Sequence, residues 1–491
     1  FTSLSLIRDI TVFNNLTLSS GQLLNSTYSI NLKGNLVNNA NYDGDASVGG
    51  VILNGTVLQE ISGTGTFGRL ELDNTNGARV NDNITLQKNI KLSNGIFNIN
   101  QHLMTLGINS EIEGSGFGPT KMIASDGVFS NVGLRKYFPI YSGAEQTFTF
   151  PMGTSNKYTP AILKYTDNTN VGYIRLNNIN DNHPGVIDPT NVLDYFWEIE
   201  SNGIAGFNGN VTLSYLEEDV QVTGLNTEGN YIAAGLLIPG TNWAKFSSDD
   251  VDETNNTIIF RFNNSNNISG EYTAGIDPAL PNDVPEFTNI ATGVWNNASN
   301  WTQTGGDPYT LTGAPNGFIV TIKTGTTVTV NENYAATYRT KIDGTLNVDP
   351  STFGHNLGTV TGNGTLHLEA ATFPAGRYSA FFDCASDGVL EYGGSTNYTL
   401  VADLYTSLPR LYFTGTGTRS LPNKDLTICK RLLINGPTLN NLNNRKLTIL
   451  GTFERLAGTF TSGTGAGATV SFAGSAAQTI EIGRASCREI V

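Results

Sequence analysis

The residues best suited to chemistry in this chain are acidic, and they fall in loops. Asp249-Asp250 with Asp252-Glu253, and Asp43-Gly44-Asp45, each gather carboxylates within a few positions. A hard cation such as calcium takes this donor type, so Asp249, Asp250, Asp252 and Glu253 form the candidate metal set. Neither cluster fits the twelve-residue calcium loop, and a solvated hairpin is the competing reading. Asp181-Asn-His183-Pro-Gly-Val-Ile-Asp188 could set carboxylates beside an imidazole, although Pro184 and Gly185 mark an ordered turn first. The histidines His102, His183, His355 and His367 have no i, i+2 or i, i+4 spacing among themselves, which leaves a zinc hydrolase without a scaffold. Gly63-Thr-Gly65-Thr-Phe-Gly68 has the letters of a dinucleotide-binding turn. It leads into the strand pattern Arg69-Leu-Glu-Leu72, however, and not into the helix N-terminus that would hold a pyrophosphate. Gly114-Ser-Gly116 reads as a flexible turn, and no nucleophile elbow occurs. No catalytic constellation emerges, so the expectation is a non-enzyme with no cofactor beyond calcium.

Flat aromatic faces are the other candidate binding groups, since sugar rings stack on them. Trp295 and Trp301 are the candidate glycan residues, with Trp243, Tyr309 and Tyr338 as further aromatics; core or cap packing is the default role for each Trp.

The elements that must position these groups are strands. Short apolar-polar-apolar runs such as Leu16-Thr-Leu18, Ile30-Asn-Leu32, Ile84-Thr-Leu86 and Ile90-Lys-Leu92 are bounded by Asn, Gly and Ser clusters. Strands this short, turning after every handful of residues, suit coils that stack into a parallel solenoid, because each coil buries its inner face only against its neighbours. Self-similarity strengthens this reading. Arg69-Leu-Glu-Leu72, Asn83-Ile-Thr-Leu86, Ile90-Lys-Leu92 and Leu103-Met-Thr-Leu-Gly107 recur as Arg410-Leu-Tyr-Phe413, Asp425-Leu-Thr-Ile428, Leu432-Leu-Ile434 and Leu447-Thr-Ile-Leu-Gly451. Likewise Ile52-Leu-Asn-Gly55 with Gln59-Glu-Ile61 recurs as Ser471-Phe-Ala-Gly474 with Gln478-Thr-Ile480.

Between Tyr137 and Asp277 the runs are longer and more aromatic, as in Gln146-Thr-Phe-Thr-Phe150, Tyr195-Phe-Trp-Glu-Ile199 and Thr257-Ile-Ile-Phe-Arg-Phe262, the spacing of an antiparallel sandwich. Pro278, Pro281 and Pro285 mark a stiff exit. The expected fold is therefore all-β, with parallel β-helix-like solenoid segments at 1–115 and 289–480 flanking an antiparallel β-sandwich at 116–277, joined by a Pro-rich linker at 278–288. The stretch 481–491 breaks the pattern and resembles a translated sequencing adapter. With the chain opening on Phe1, the expectation is a piece of a longer polypeptide with missing domains at both ends.

Composition sets the setting. Charged residues are 14% of 491, below the globular average of about 25%, while Asn, Thr, Ser and Gly carry the polar positions, as in secreted β-proteins. The net charge of −14 is thinly spread and no basic stripe exists, which argues against nucleic acid as a partner. No apolar run reaches the roughly 18 residues of a membrane helix. Cys384 and Cys429, outside the excluded tail, are either bridged or two buried free thiols.

Taken with Gly153-Thr154, Tyr158-Thr-Pro160, His183-Pro184, Phe196-Trp197, Tyr272-Thr-Ala-Gly275 and Leu447-Thr-Ile-Leu-Gly451, the repeats resemble large cell-surface repeat proteins of Bacteroidetes exported by the type IX route. The stretch from Gly293-Val-Trp295 through Val320-Thr-Ile322, Thr327-Val-Thr-Val330 and Ile342-Asp-Gly-Thr-Leu346 is similar to the opening coils of extracellular β-helix domains and autotransporter-like passengers. The resemblance implies an extracellular, surface-displayed chain with adhesive or gliding-type roles and glycans or cell-surface components as partners. It carries no catalytic residue across. A β-helix polysaccharide lyase is the enzymatic alternative; it needs acidic and basic side chains converging on neighbouring coils.

Overall fold

The computed structural model describes residues 3–43, 48–126, 132–154, 156–238, 240–247, 250–401, 405–465 and 467–482. Among these the helices are single 3₁₀ turns, and none is long and apolar enough to cross a membrane. The chain divides into two compact units, 1–283 and 284–491.

The first unit opens as a three-faced solenoid of stacked parallel coils. Its first face runs from Ser3–Ser5 through Gln22–Leu24, Asn41–Asp43, Thr66–Phe67, Ile84–Leu86 and Leu103–Leu106 to Gly133–Phe138. The second face stacks strands from Ile10–Val12 to Ile112–Glu113, and the third from Leu16–Leu18 to Met152–Thr154. Parallel pairing continues past residue 115, since Ile123–Ser125 stacks on Phe97–Asn100 and carries Met152–Thr154 in turn.

Period-two patterning explains the interior. Ile30, Val51, Leu70 and Ile90 are register partners in one inward column, and Leu32, Leu53, Leu72 and Leu92 form the next; all are buried. Each such side chain contributes roughly 1.5–3 kcal/mol by leaving water, which no single coil could capture alone.

The corners are closed by asparagine. Asn15 Oδ1 accepts from the Asn35 N–H one coil later, Asn35 Oδ1 from Glu60, Asn83 Oδ1 from Leu103 and Asn89 Oδ1 from Glu111. Each corner side chain thus satisfies a backbone donor that the strand ladders leave open.

Gly133–Phe138 changes the pattern. It pairs in parallel with Leu103–Leu106 and antiparallel with Gly172–Ile179. From there the same sheet continues antiparallel through Phe196–Asn202, Gly270–Ile276, Tyr231–Leu237 and Trp243–Lys245. Lys136 fixes this changeover: its amine donates to the carbonyls of Gly107, Ile108 and Tyr137 at 2.8–2.9 Å, and burial pulls its pKa down to about 8. A second antiparallel sheet comprises Tyr141–Phe150, Ala161–Asn168, Phe207–Ser214, Thr257–Ser265 and Val251–Asp252. Rings meet between the two sheets, Phe138 with Phe148 and Tyr165, and Phe260 with Tyr272.

The second unit is again a stack of parallel coils. One sheet runs through Glu286–Asn289, Ile319–Ile322, Arg339–Ile342, Asn356–Thr361 and Ala375–Arg377. The other runs from Gly293–Val294 through Thr327–Val330, Thr345–Val348, Thr365–Leu368 and Val389–Tyr392 to Ser407–Thr414 and Leu426–Asn440. Val328, Leu346, Leu366, Leu390, Leu411, Leu432 and Phe453 form one continuous inward column. Trp301–Gly305 runs antiparallel along the edge at Glu286–Asn289. Ile480–Ile482 pairs with Phe453–Arg455, and the rest of the adapter-like tail, Cys487 included, lies outside the described residues.

Cys384 and Cys429 are joined as a disulfide with Cα atoms 5.4 Å apart, which replaces the free-thiol alternative. Beside it Lys430 Nζ donates to Ala385 O and pairs with Asp387, which also takes Arg410 at 2.8 Å.

Candidate functional site

The acidic loop at 250–253 is built as a turn. Asp252 Oδ1 accepts from the backbone N–H groups of Thr254 and Asn255, and its Oδ2 from the Asn255 side chain. Those hydrogen bonds, the Asn255 side chain first, hold its carboxyl below the usual range. Asp250 pairs with Arg261, Glu253 faces solvent, and Asp249 lies outside the described residues. Among the described residues no group of three or more His, Cys, Asp or Glu side chains is placed to hold a metal ion. Asp43 lines an open polar groove of about 680 Å³ with Asn41, Thr64, Thr66, Gln87 and Lys88, and Asp45 lies outside the described residues.

The candidate glycan tryptophans are cap residues, which corrects the stacking-platform expectation. Trp295 is 0% and Trp301 6% exposed, packed edge to face at 5.3 Å. Trp301 Nε1 donates to Trp295 O and Trp295 Nε1 to Asn316 Oδ1, so both polar edges are satisfied internally. Both lie at the first coil of the second unit, where Trp301 opens the strand that pairs along Glu286–Asn289. Trp243 and Tyr338 are buried as well, and Tyr309 is partly exposed against Phe318.

His183 is buried between Phe196 and Trp243. Its Nε2 lies 2.9 Å from Glu271, and its Nδ1 accepts from the Gly185 N–H. His355 sits against Thr352, with its pKa lowered by burial.

His367 differs, because it points outward from the long parallel sheet of the second unit. Register makes Asn347, His367, Glu391 and Tyr412 one column, each a coil apart. His367 Nδ1 is 3.3 Å from Glu391 Oε1, and its Nε2 is 3.2 Å from Glu369 Oε1. Thr414 Oγ1 donates to the same Glu391 oxygen at 2.6 Å. Partial burial pulls the imidazole pKa down, but the two carboxylates outweigh it and hold His367 above its ordinary value. Glu391 is held low by His367 first, then by Thr414, against the burial that would raise it. Next along the sheet, Arg431 lies 5.2 Å over the Tyr412 ring and pairs with Glu454 at 2.5 Å. This column can hold a proton between an imidazole and two carboxylates, and it presents a planar cation beside a phenol.

Only Glu369 is a local partner, two residues from His367; the other partners lie a whole coil apart, 23 residues for Glu391 and Thr414 and 19 for Tyr412 and Arg431. Only an alignment of successive coils would superimpose them.

Fold and site define an all-β protein containing a β-solenoid of stacked parallel coils. Compared with known proteins, the chain matches no family model, no curated protein and no solved structure.

Proposed function

We propose that this chain is a non-catalytic structural and adhesive segment of a large secreted bacterial cell-surface protein, a stiff spacer of stacked coils. The observation that carries this reading is the closure of each coil onto the next, with apolar columns inside and asparagine caps at the corners. The Cys384–Cys429 bridge supports an extracellular setting, since such bonds persist in oxidising compartments. In this reading the antiparallel sheets between residues 133 and 276 act as a sandwich module that the coils present, with glycans or other surface components as adhesion targets. Surface repeat proteins of the Bacteroidetes type, exported by the type IX route, are the class proposed.

A β-helix polysaccharide-binding or lyase-type protein is the second reading. The His367 column favours it, because acidic and basic side chains do meet there on neighbouring coils. Incubating the full chain with a panel of acidic and neutral polysaccharides separates the two. The expected result is no product release. Release that disappears in Glu391→Gln overturns the structural reading.

A further inference from the structure

A part-buried lysine and a buried aspartate meet in the first unit. Lys157 begins the short strand Lys157–Tyr158, which pairs with Met152–Thr154 at the end of the solenoid's third face. Asp219 ends the 3₁₀ turn Glu217–Asp219, 62 residues later. The Lys157 amine contacts Asp219 Oδ1 directly. The Asp219 side chain has no solvent exposure and that of Lys157 has 19%. The Leu216 N–H donates to the other carboxyl oxygen, Oδ2, at 3.1 Å, and Glu218 Oε1 lies 3.6 Å from the lysine nitrogen. The buried Tyr195 ring stands 5.9 Å from the same nitrogen, its hydroxyl bonded to Thr159.

A carboxylate removed from water loses hydration that a neighbouring cation repays only in part, so burial favours the carboxylic acid at Asp219. Burial also holds the Asp219 carboxyl above its ordinary range despite the lysine beside it. A neutral amine is a nucleophile, and the arrangement around Asp219 resembles an acyl-transfer site: an attacking nitrogen, a backbone donor on the oxygen that takes up charge, and a nearby carboxylate to carry a proton.

We propose that Lys157 and Asp219 condense into an intramolecular amide bond. The Nζ lone pair attacks Cγ, and charge develops on Oδ2 against the Leu216 N–H. One amine proton passes to the Glu218 carboxylate, which returns it to the protonated Oδ1 as the Cγ–Oδ1 bond breaks. Oδ1 leaves as water, Glu218 is regenerated, and no oxidant or co-reactant is consumed. The bond would tie the last strand of the solenoid face to the antiparallel region covalently. It stands on the local geometry alone and does not depend on the spacer reading.

Intact mass spectrometry of the reduced, denatured full chain tests the proposal, followed by a peptide map. The expected result is a mass one water below that of the sequence, and a branched peptide joining the fragments with Lys157 and Asp219. Lys157→Arg keeps the charge but cannot form this amide, so it restores the full mass, as does Asp219→Ala. Separate, unbranched peptides for both residues in the unsubstituted chain overturn the proposal, whether or not the variants fold. So does a water deficit that persists in Lys157→Arg, which would place the dehydration elsewhere.

Discussion

The two solenoid regions share one backbone device and differ in what they add to it. In the first unit Gln59 Oε1 accepts from the Gly55 N–H while its Nε2 donates to Leu32 O and Gly34 O of the preceding coil. In the second, Gln478 Oε1 accepts from the Gly474 N–H and its Nε2 donates to Ile449 O and Gly451 O. A Cβ on either glycine would stand within about 3 Å of its own glutamine and closer still to a carbonyl of the coil before, at 2.6 Å for Gly55 and 2.2 Å for Gly474. The recurrence of Gly-x-x-x-Gln is therefore a recurrence of a coil-to-coil clamp. The repeats report how coils are joined and carry no information about a ligand. What sets the second unit apart is a disulfide and an imidazole in its outward column; the first unit's outward column of Glu71, Lys91 and Glu113 is charged but holds no histidine.

The comparison breaks most visibly if the interiors are unequal. Leu70→Ala in the first unit and Leu411→Ala in the second each empty an inward column position that is fully buried. Each is expected to cost roughly 2–5 kcal/mol. Hydrogen exchange should be read separately for each unit, because two units need not unfold as one. Removing the disulfide with Cys384→Ser and Cys429→Ser should cost about 4 kcal/mol by chain entropy for its 45-residue separation, with the loss confined to exchange protection in the second unit. Loss spread equally over both units would contradict the idea that the bridge is a local addition.

The clamps sharpen the comparison. Gln59→Leu leaves the Leu32 and Gly34 carbonyls and the Gly55 N–H without this partner, and Gln478→Leu does the same one unit later. Gln59→Leu should cost about 1–3 kcal/mol, the range for stranding buried polar groups, and Gln478→Leu, whose clamp is part-buried, about 1 kcal/mol. A loss in both would establish one device used twice, whereas a neutral Gln478→Leu would make the second copy an echo in sequence only.

These positions also show what the sequence could disclose. Short alternating strands, the stacked coils and the Gln repeat were legible because a period of two puts the same residue types on the same face of each strand. The asparagines were read only as tolerant turn residues. Their second task, capping the next coil's N–H, depends on which corners stack, and no local pattern states that. Trp295 and Trp301 stayed open between platform and packing for a related reason: an aromatic reads alike as either until the strand beside it is known. The His367 column stayed hidden because its members other than Glu369 meet only after a full turn of the solenoid.

That column predicts a pH dependence of the second unit's long parallel sheet. His367 is raised above its ordinary 6.5, so its contribution to stability is complete below that value and fades as the pH rises through the folded pKa. Glu391 is lowered from 4.5, so its contribution is present above that value and fades as the pH falls through its folded pKa. Stability of this sheet should be greatest between about pH 4.5 and 6.5 and flatten in His367→Gln. A profile unchanged by His367→Gln would remove the imidazole from the account.

The smallest effect is expected where the loop chemistry first pointed. Both Asp252 carboxylate oxygens are occupied by its own turn, and an Asn in its place keeps an acceptor for the Thr254 and Asn255 N–H groups. Asp252→Asn should therefore change stability by no more than about 0.5 kcal/mol. Adding calcium should leave exchange in the Val251–Ser265 hairpin unaltered. A cation that did bind there would have to take Asp252 from its backbone donors and Asp250 from Arg261, losing as much hydrogen bonding as it gained in ligation. Protection of that hairpin by calcium, abolished by Asp252→Asn, would show that the turn opens to admit an ion and would turn the first unit from scaffold into sensor.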